Sequence, residues 1–277
     1  MPFPARYCGR RGALGTQHDK LPLVAPAFAE HLGLVVESVS IDTDSFGTFA
    51  GEVPRTLAPR EAALAKARVA MARSGLTFGL ASEGSIGSVG PFPLTVDVEV
   101  VAFVDDENGF ELVESARDTG IVTASWTVTD GRVECGDLER AGFPEHGLIV
   151  RPANGFVPIH KGIHDRRALD DAVRECAAFG DVRIESDLRA DHCPSRRPVI
   201  AEAARRLATR LKAECPSCGC PGWGSVDVVR GRRCADCHLP TDAPIAVVEG
   251  CPRCPTVRKG PPCRIPADPA TCWNCNP

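Results

Sequence analysis

The sequence predicts a mixed-sheet α/β domain with helices on both faces, residues 1–208, followed by a double zinc-ribbon module, residues 209–277. Three observations carry that reading. Short β-branched runs alternate with helical segments over the first two hundred residues. Two hairpin-like strands interrupt the alternation, so the sheet is mixed rather than wholly parallel. Ten of the 14 cysteines crowd between Cys215 and Cys275, whereas Cys8, Cys135, Cys176 and Cys193 are scattered.

Composition sets the outer limits. The chain of 277 residues, 43% hydrophobic and 25% charged, has the make-up of an ordinary globular protein with room for one large core and a small second module. Its formal net charge of −4 supplies no global basic field for nucleic acid. The N-terminus has no apolar signal region and no run has the length of a membrane span. The expectation is a cytoplasmic, reduced protein without a membrane partner, in which clustered CxxC pairs are metal ligands before they are disulfides.

Each element follows from local signals. Arg11–Thr16 is a first strand ending in G-T-Q-H-D-K, and Leu23–Leu32 a helix limited by Pro22 and Pro26 and stopped by Gly33. Leu34–Ile41 is a second strand. The loop Asp42–Glu52 then combines acids, glycines and phenylalanines, which suits a flap over a pocket as well as a solvated loop. The alanine-rich stretch from Pro59 to Gly75 is a helix with Pro59 in its first turn and Glu61 offsetting the helix dipole. A strand Thr77–Ala81 leads into a glycine- and serine-rich loop whose one acid is Glu83. An acid at the C-terminal edge of a strand, among small residues, is where an open α/β sheet places its chemistry. Leu94–Val104 pairs with Phe110–Glu114 through D-D-E-N-G. Strands at Ile121–Val128, Leu148–Arg151 and Val182–Glu185 follow, with helices at Arg166–Phe179 and Val199–Leu211. His18 and His160 read as structural histidines.

In the tail, fifteen residues separate C-P-S-C from C-A-D-C, and seventeen separate C-P-R-C from C-W-N-C. Each CxxC forms a knuckle whose two thiolates face one ion, and two knuckles complete a tetrahedron. Eight zinc ligands follow, in their simplest pairing Cys215, Cys218, Cys234 and Cys237 for one zinc, and Cys251, Cys254, Cys272 and Cys275 for the other. A crossed pairing has the same spacings, and Cys220 and Cys263 are left over. The tail has few large apolar residues, so the two structural zincs supply much of its folding free energy. It carries seven Lys or Arg against five Asp or Glu, with Trp223 and Trp273 as aromatic platforms. Docking of nucleic acid or protein and a purely structural lid are its two readings.

Over nearly its full length, from G-T-Q-H-D-K through F-G-T-F-A-G-E, L-A-S-E-G-S and E-S-D-L-R-A to C-W-N-C-N-P, the chain resembles an uncharacterised bacterial family of unknown function. The first hundred residues are also similar, more distantly, to the inosine-triphosphate pyrophosphatase and Maf-like group of nucleotide hydrolases. Three pieces carry this likeness: G-T-Q-H-D-K (Gly15 to Lys20), E-A-A-L-A-K-A (Glu61 to Ala67) and A-S-E-G-S (Ala81 to Ser85). The resemblance implies a metal-dependent nucleoside triphosphate pyrophosphohydrolase acting on a small-molecule nucleotide. It makes Thr16, Gln17 and Lys20 phosphate contacts, Glu61 a magnesium ligand, and Glu83 a metal ligand or general base. Gln17 stands where the group has Asn, and Glu83 where it has an acidic pair. S-R-R, Ser195, Arg196 and Arg197, opens the last helix as the nearest stand-in for the group's late basic motif, able to hold a phosphate or base carbonyl. The alternative from another class is a non-catalytic zinc-ribbon adaptor.

Overall fold

A computed structural model describes residues 6–17, 20–48, 52–88 and 94–276. His18 and Asp19 of the Gly15–Lys20 motif and residues 49–51 of the acidic loop lie outside them. The first sheet contains β1 (Arg11–Thr16), β2 (Val35–Ser40), β3 (Phe78–Ser88), β4 (Thr95–Asp105) and β5 (Phe110–Asp118), in the order β2-β1-β3-β4-β5. β1 runs parallel to β2 and β3, whereas β3, β4 and β5 form an antiparallel meander. Helices cover both faces. α1 (Leu21–Leu32) packs with the last long helix over Phe28, Phe103, Ile200 and Leu207, while α2 (Pro59–Ser74) lays Ala63 and Ala67 against Ala81 and Ala102 on the other side.

A second sheet holds β6 (Ser125–Val128), β7 (Leu148–Pro152), β8 (His160–Ile163) and β9 (Val182–Ser186) in the order β6-β9-β7-β8, all antiparallel. α3 (Cys135–Arg140) and α4 (Arg166–Ala177) complete this unit. Leu169, Ala172, Val173 and Cys176 form one buried face of α4 and pack with Leu148, Val150 and Ile184 into a core of their own, which is why these strands do not extend the first sheet. Neither α3 nor β8 carries a strong local signal. α5 (Arg197–Leu211) then returns to the first sheet.

Two elements differ from the sequence expectation in ways that matter for function. α1 begins at Leu21 and keeps Pro26 inside it, at the loss of the one intrahelical bond that would reach Pro22. More consequentially, β3 continues past Ala81 to Ser88, pairing with β4 as far as Ser88↔Thr95. The glycine-serine stretch is therefore strand, and Glu83 sits within it rather than in a loop. Cross-strand pairing with the apolar β4 outweighs the poor strand propensity of Gly84 and Gly87.

The tail forms a three-stranded antiparallel sheet of β10 (Gly224–Arg230), β11 (Pro244–Gly250) and β12 (Val257–Lys259). Its beginning is fused to the main core, because Cys215, Cys220 and Trp223 are buried in the same cluster as Leu112, Leu207 and Leu211. Among the described residues no helix is long and apolar enough to cross a membrane.

Candidate functional site

One cleft collects the N-terminal motif residues. Gly15, Thr16 and Gln17 reach it from the end of β1, Lys20 from the start of α1, and Glu83 from β3. Gln17 is oriented by Thr43, whose backbone N–H and hydroxyl both donate to its side-chain carbonyl, at 3.3 and 3.0 Å. The other wall comes from the second sheet, through Ile149, Lys161, Asp187 and Arg189. The site thus lies between the two sheets, an arrangement that no local pattern announces.

Glu83 is almost wholly buried, at 8% exposure, and its carboxylate is gripped from α2 by Lys66 Nζ at 2.5 Å and from the acidic loop's far end by Arg55 at 3.5 Å. Burial alone raises a carboxyl's pKa. Here the charge and hydrogen bond of Lys66, with Lys20 and Arg55, outweigh it and hold Glu83 below the usual carboxylate range. Glu83 is consequently ionised at neutral pH. Arg55 also donates to the carbonyl of Gly84 at 2.6 Å, and Lys161 pairs with Glu52, so the segment after the acidic loop is strapped across the cleft at both sheets. Asp187 accepts from the backbone N–H of Gly162 at 2.9 Å and is paired with Arg189. Burial raises its pKa, but the bonds and charge of Arg189 bring it below the ordinary aspartate range.

Lys20 differs from these. Its ammonium makes no hydrogen bond or ion pair among the described residues, and desolvation lowers it to about 8; Glu99 opposes the shift, Arg196 and Lys66 reinforce it. The lining carries five cationic side chains, Lys20, Arg55, Lys66, Lys161 and Arg189, against three carboxylates, Asp44, Glu83 and Asp187. Such a balance in a cleft with low-dielectric walls attracts a multiply charged anion.

Several expected residues lie elsewhere. Glu61 is exposed and accepts from the Ala58 N–H at 3.3 Å, a helix-capping contact, and it does not line the cleft. Ser195 accepts from the Val122 N–H at 3.1 Å and lies 3.3 Å from His146 Nε2. Arg197 donates weakly to the Ala190 carbonyl. Arg196 is fully buried: its Nε donates to Glu99 at 2.7 Å, a second nitrogen bonds the same oxygen, and a third reaches the Leu188 carbonyl. A Cβ on Gly84 would come within 2.1 Å of this guanidinium, so the glycine in β3 is what lets Arg196 pass beneath the strand. Behind it, no hydrogen-bond partner among the described residues reaches either oxygen of Asp97 or Oε2 of Glu99. Burial and the charge of Glu99 lift Asp97 to about 7, so Asp97 is partly protonated near neutrality.

Lys66, Arg55 and Lys161 are cleft residues that sequence reasoning missed. Lys66 alone carried a signal. It shares the buried face of α2 with Ala62, Ala63, Ala67 and Ala70, where a lysine is unexpected without a partner.

The tail cysteines assemble into two quartets, Cys215 with Cys218, Cys251 and Cys254, and Cys234 with Cys237, Cys272 and Cys275. The eight cysteines that cluster are those expected, but the grouping is the crossed one and replaces the sequential assignment. The cause is the hairpin. β10 carries the chain from the first knuckle to the far end, β11 brings the third knuckle back beside the first, and β12 sets out again towards the second. Sulfur–sulfur separations across the knuckles are 3.7 and 3.6 Å in one quartet and 3.8 and 3.5 Å in the other. A tetrahedral ion with Zn–S bonds of about 2.3 Å places its sulfurs about 3.8 Å apart, so both quartets could hold zinc. Cys220 is buried beside the first quartet and Cys263 is exposed beside Arg232; neither belongs to a quartet.

Fold and cysteines together define a mixed α/β protein carrying a module with two potential four-cysteine metal sites. Residues 66–277 match the family model described as a domain of unknown function, DUF6671, and the chain belongs to that family. No curated protein sequence matches it. Among solved structures, protein VC0702 from Vibrio cholerae is similar at 16% identity over 71% of this chain and 91% of its own, with a TM-score of 0.29, too low to carry an argument. None of these comparisons supports the resemblance to the inosine-triphosphate pyrophosphatase and Maf-like group.

Proposed function

We propose that the cleft binds and hydrolyses a nucleoside triphosphate between its α and β phosphates. The observation that carries this reading is the convergence of Thr16, Gln17, Lys20 and Glu83 with four further cations on one cleft. Phosphoryl chemistry needs fixed positive charge where negative charge spreads in the transition state, together with a group that orients water. Lys20, Lys66, Arg55, Lys161 and Arg189 supply the charge. Glu83, ionised and held from two sides, accepts a hydrogen bond from the attacking water and aligns it.

Magnesium, were it to arrive with the nucleotide, would supply further charge neutralisation. The side chains do not fit a metal held by the protein itself. Glu61 is a cap, Glu83 and Asp187 are engaged by Lys66 and Arg189, and among the described residues the cysteine quartets alone bring three or more donor side chains within reach of one ion. No step is assigned to it.

Pyrophosphate release from a panel of standard and deaminated nucleoside triphosphates, with and without magnesium, tests the reading. Glu83→Gln should lower kcat by roughly a hundredfold or more. Lys20→Ala, which breaks no ion pair, should raise KM with the fold intact. Absence of turnover on every nucleotide by zinc-loaded protein would end the hydrolase reading.

A pH dependence follows from Lys20. Phosphate binding favours its charged form, so its pKa rises from about 8 on binding. Affinity should be flat below pH 8 and fall above it, by up to about tenfold per pH unit. Calorimetry in two buffers of different ionisation enthalpy should find proton uptake above pH 8, and Lys20→Ala should abolish it.

A further inference from the structure

The distal end of the tail carries a second cationic cleft, far in sequence from Lys20 and Glu83. It has a volume of about 510 Å³, and Arg232, Arg233, Arg264 and His238 line it with Ile265. No carboxylate lines it. None of the three arginines has a salt bridge among the described residues, whereas Arg258, on β12 of the same tail, pairs with Glu249 at 2.6 Å. The three guanidiniums on one concavity, of which Arg233 also donates to the His238 carbonyl at 2.9 Å, offer an anion positive charge that no carboxylate of the lining offsets.

Two details strengthen this. The Nε of Arg232 is buried with no acceptor among the described residues, although a neighbouring nitrogen contacts Cys263 Sγ at 3.5 Å; an unsatisfied buried donor calls for a partner. His238 is the one non-glycine among the described residues with a left-handed backbone, at φ 59°, and follows Cys237 as Gly219, at φ 67°, follows Cys218. Glycine would sit there without the roughly 1 kcal/mol that a side chain costs. An imidazole kept at that cost, on the rim of an arginine cleft, contributes a donor where glycine offers none.

We infer that this cleft binds the phosphate backbone of a single-stranded nucleic acid. Arginine forks match phosphate oxygens. The apolar contacts that a strand adds over a free phosphate are present too: Ile265 on the cleft is 72% exposed, and Trp273 on the same quartet is 65% exposed, a free face for base stacking. The tail carries a surplus of two positive charges in a chain of net −4, so attraction is local to this end.

The test is fluorescence anisotropy with labelled fifteen-nucleotide oligo-dT and oligo-rU on the full-length, zinc-loaded chain. Arg232→Ala/Arg264→Ala should weaken binding tenfold or more and flatten the log affinity–log salt slope by roughly 1.4, the share of two phosphate contacts on a single strand. Zinc content and circular dichroism establish that the double variant is folded, and Arg258→Ala, which removes one positive charge of the same tail outside the cleft, serves as a control that should change affinity little. Lys20→Ala should leave oligonucleotide binding unchanged, which separates this site from the cleft between the two sheets. Equal affinities for parent and folded double variant, no oligonucleotide binding by the parent, or binding of inorganic phosphate alone would each overturn the inference.

Discussion

Replacing Arg196 with alanine should destabilise the protein by about 3–5 kcal/mol, the usual consequence of removing one partner from a buried ion pair. Arg196 and Glu99 are both wholly excluded from water and bonded through two guanidinium nitrogens. Without the guanidinium, the Glu99 carboxylate remains buried beside Asp97, whose oxygens have no hydrogen-bond partner among the described residues. The variant also leaves a void beneath Gly84 and frees the Leu188 carbonyl. For a chain of this size the midpoint of thermal unfolding should fall by on the order of 10 °C. The measurement is a thermal melt with zinc in excess, so that metal loss does not set the transition. A double change, Arg196→Met with Glu99→Met, should recover much of the loss, because the desolvation of both charges disappears together. A fall of less than about 1 kcal/mol in Arg196→Ala would show that the pair is not buried as described.

The crossed pairing of the cysteines predicts a second large effect. Cys218→Ser combined with Cys251→Ser removes two ligands of the same quartet, so the protein should retain one zinc per chain. Cys218→Ser combined with Cys237→Ser touches both quartets and should retain none. Sequential pairing requires the opposite outcome in the two proteins, and metal analysis decides between them. The quartets also differ in what depends on them. Cys215 lies in the main core with Trp223 and Leu211, and Arg210 of α5 donates to the Gly222 carbonyl at 3.0 Å while pairing with Glu114. Loss of the first metal, on the order of 10 kcal/mol of folding free energy for a structural site, should loosen α5 and lower the stability of the α/β part. Loss of the second should release β10–β12's distal end and leave the α/β melt nearly unchanged.

Some of this molecule is written locally. A CxxC knuckle is closed by its own four residues, so the eight cysteines of the two quartets could be named from spacing alone. The start of α2 is likewise local, since Pro59 and the Glu61 cap act within one turn. Thr16, Gln17, Lys20 and Glu83 could be singled out because each ends or interrupts a recognisable element. What no local pattern contains is a partner. The choice between crossed and sequential quartets depends on a hairpin that returns the third knuckle to the first. Glu83 belongs to a strand because β4 pairs with it, and Arg196 is interior because Glu99 waits behind Gly84. Lys161 and Arg189 reach the cleft only when the second sheet closes over the first, and Arg55 only because Glu83 and Gly84 hold it. Covalent spacing determined which side chains could act as ligands or charges; burial and pairing at long sequence separation decided which of them meet, because the free energy of a desolvated charge is set by its neighbours in space.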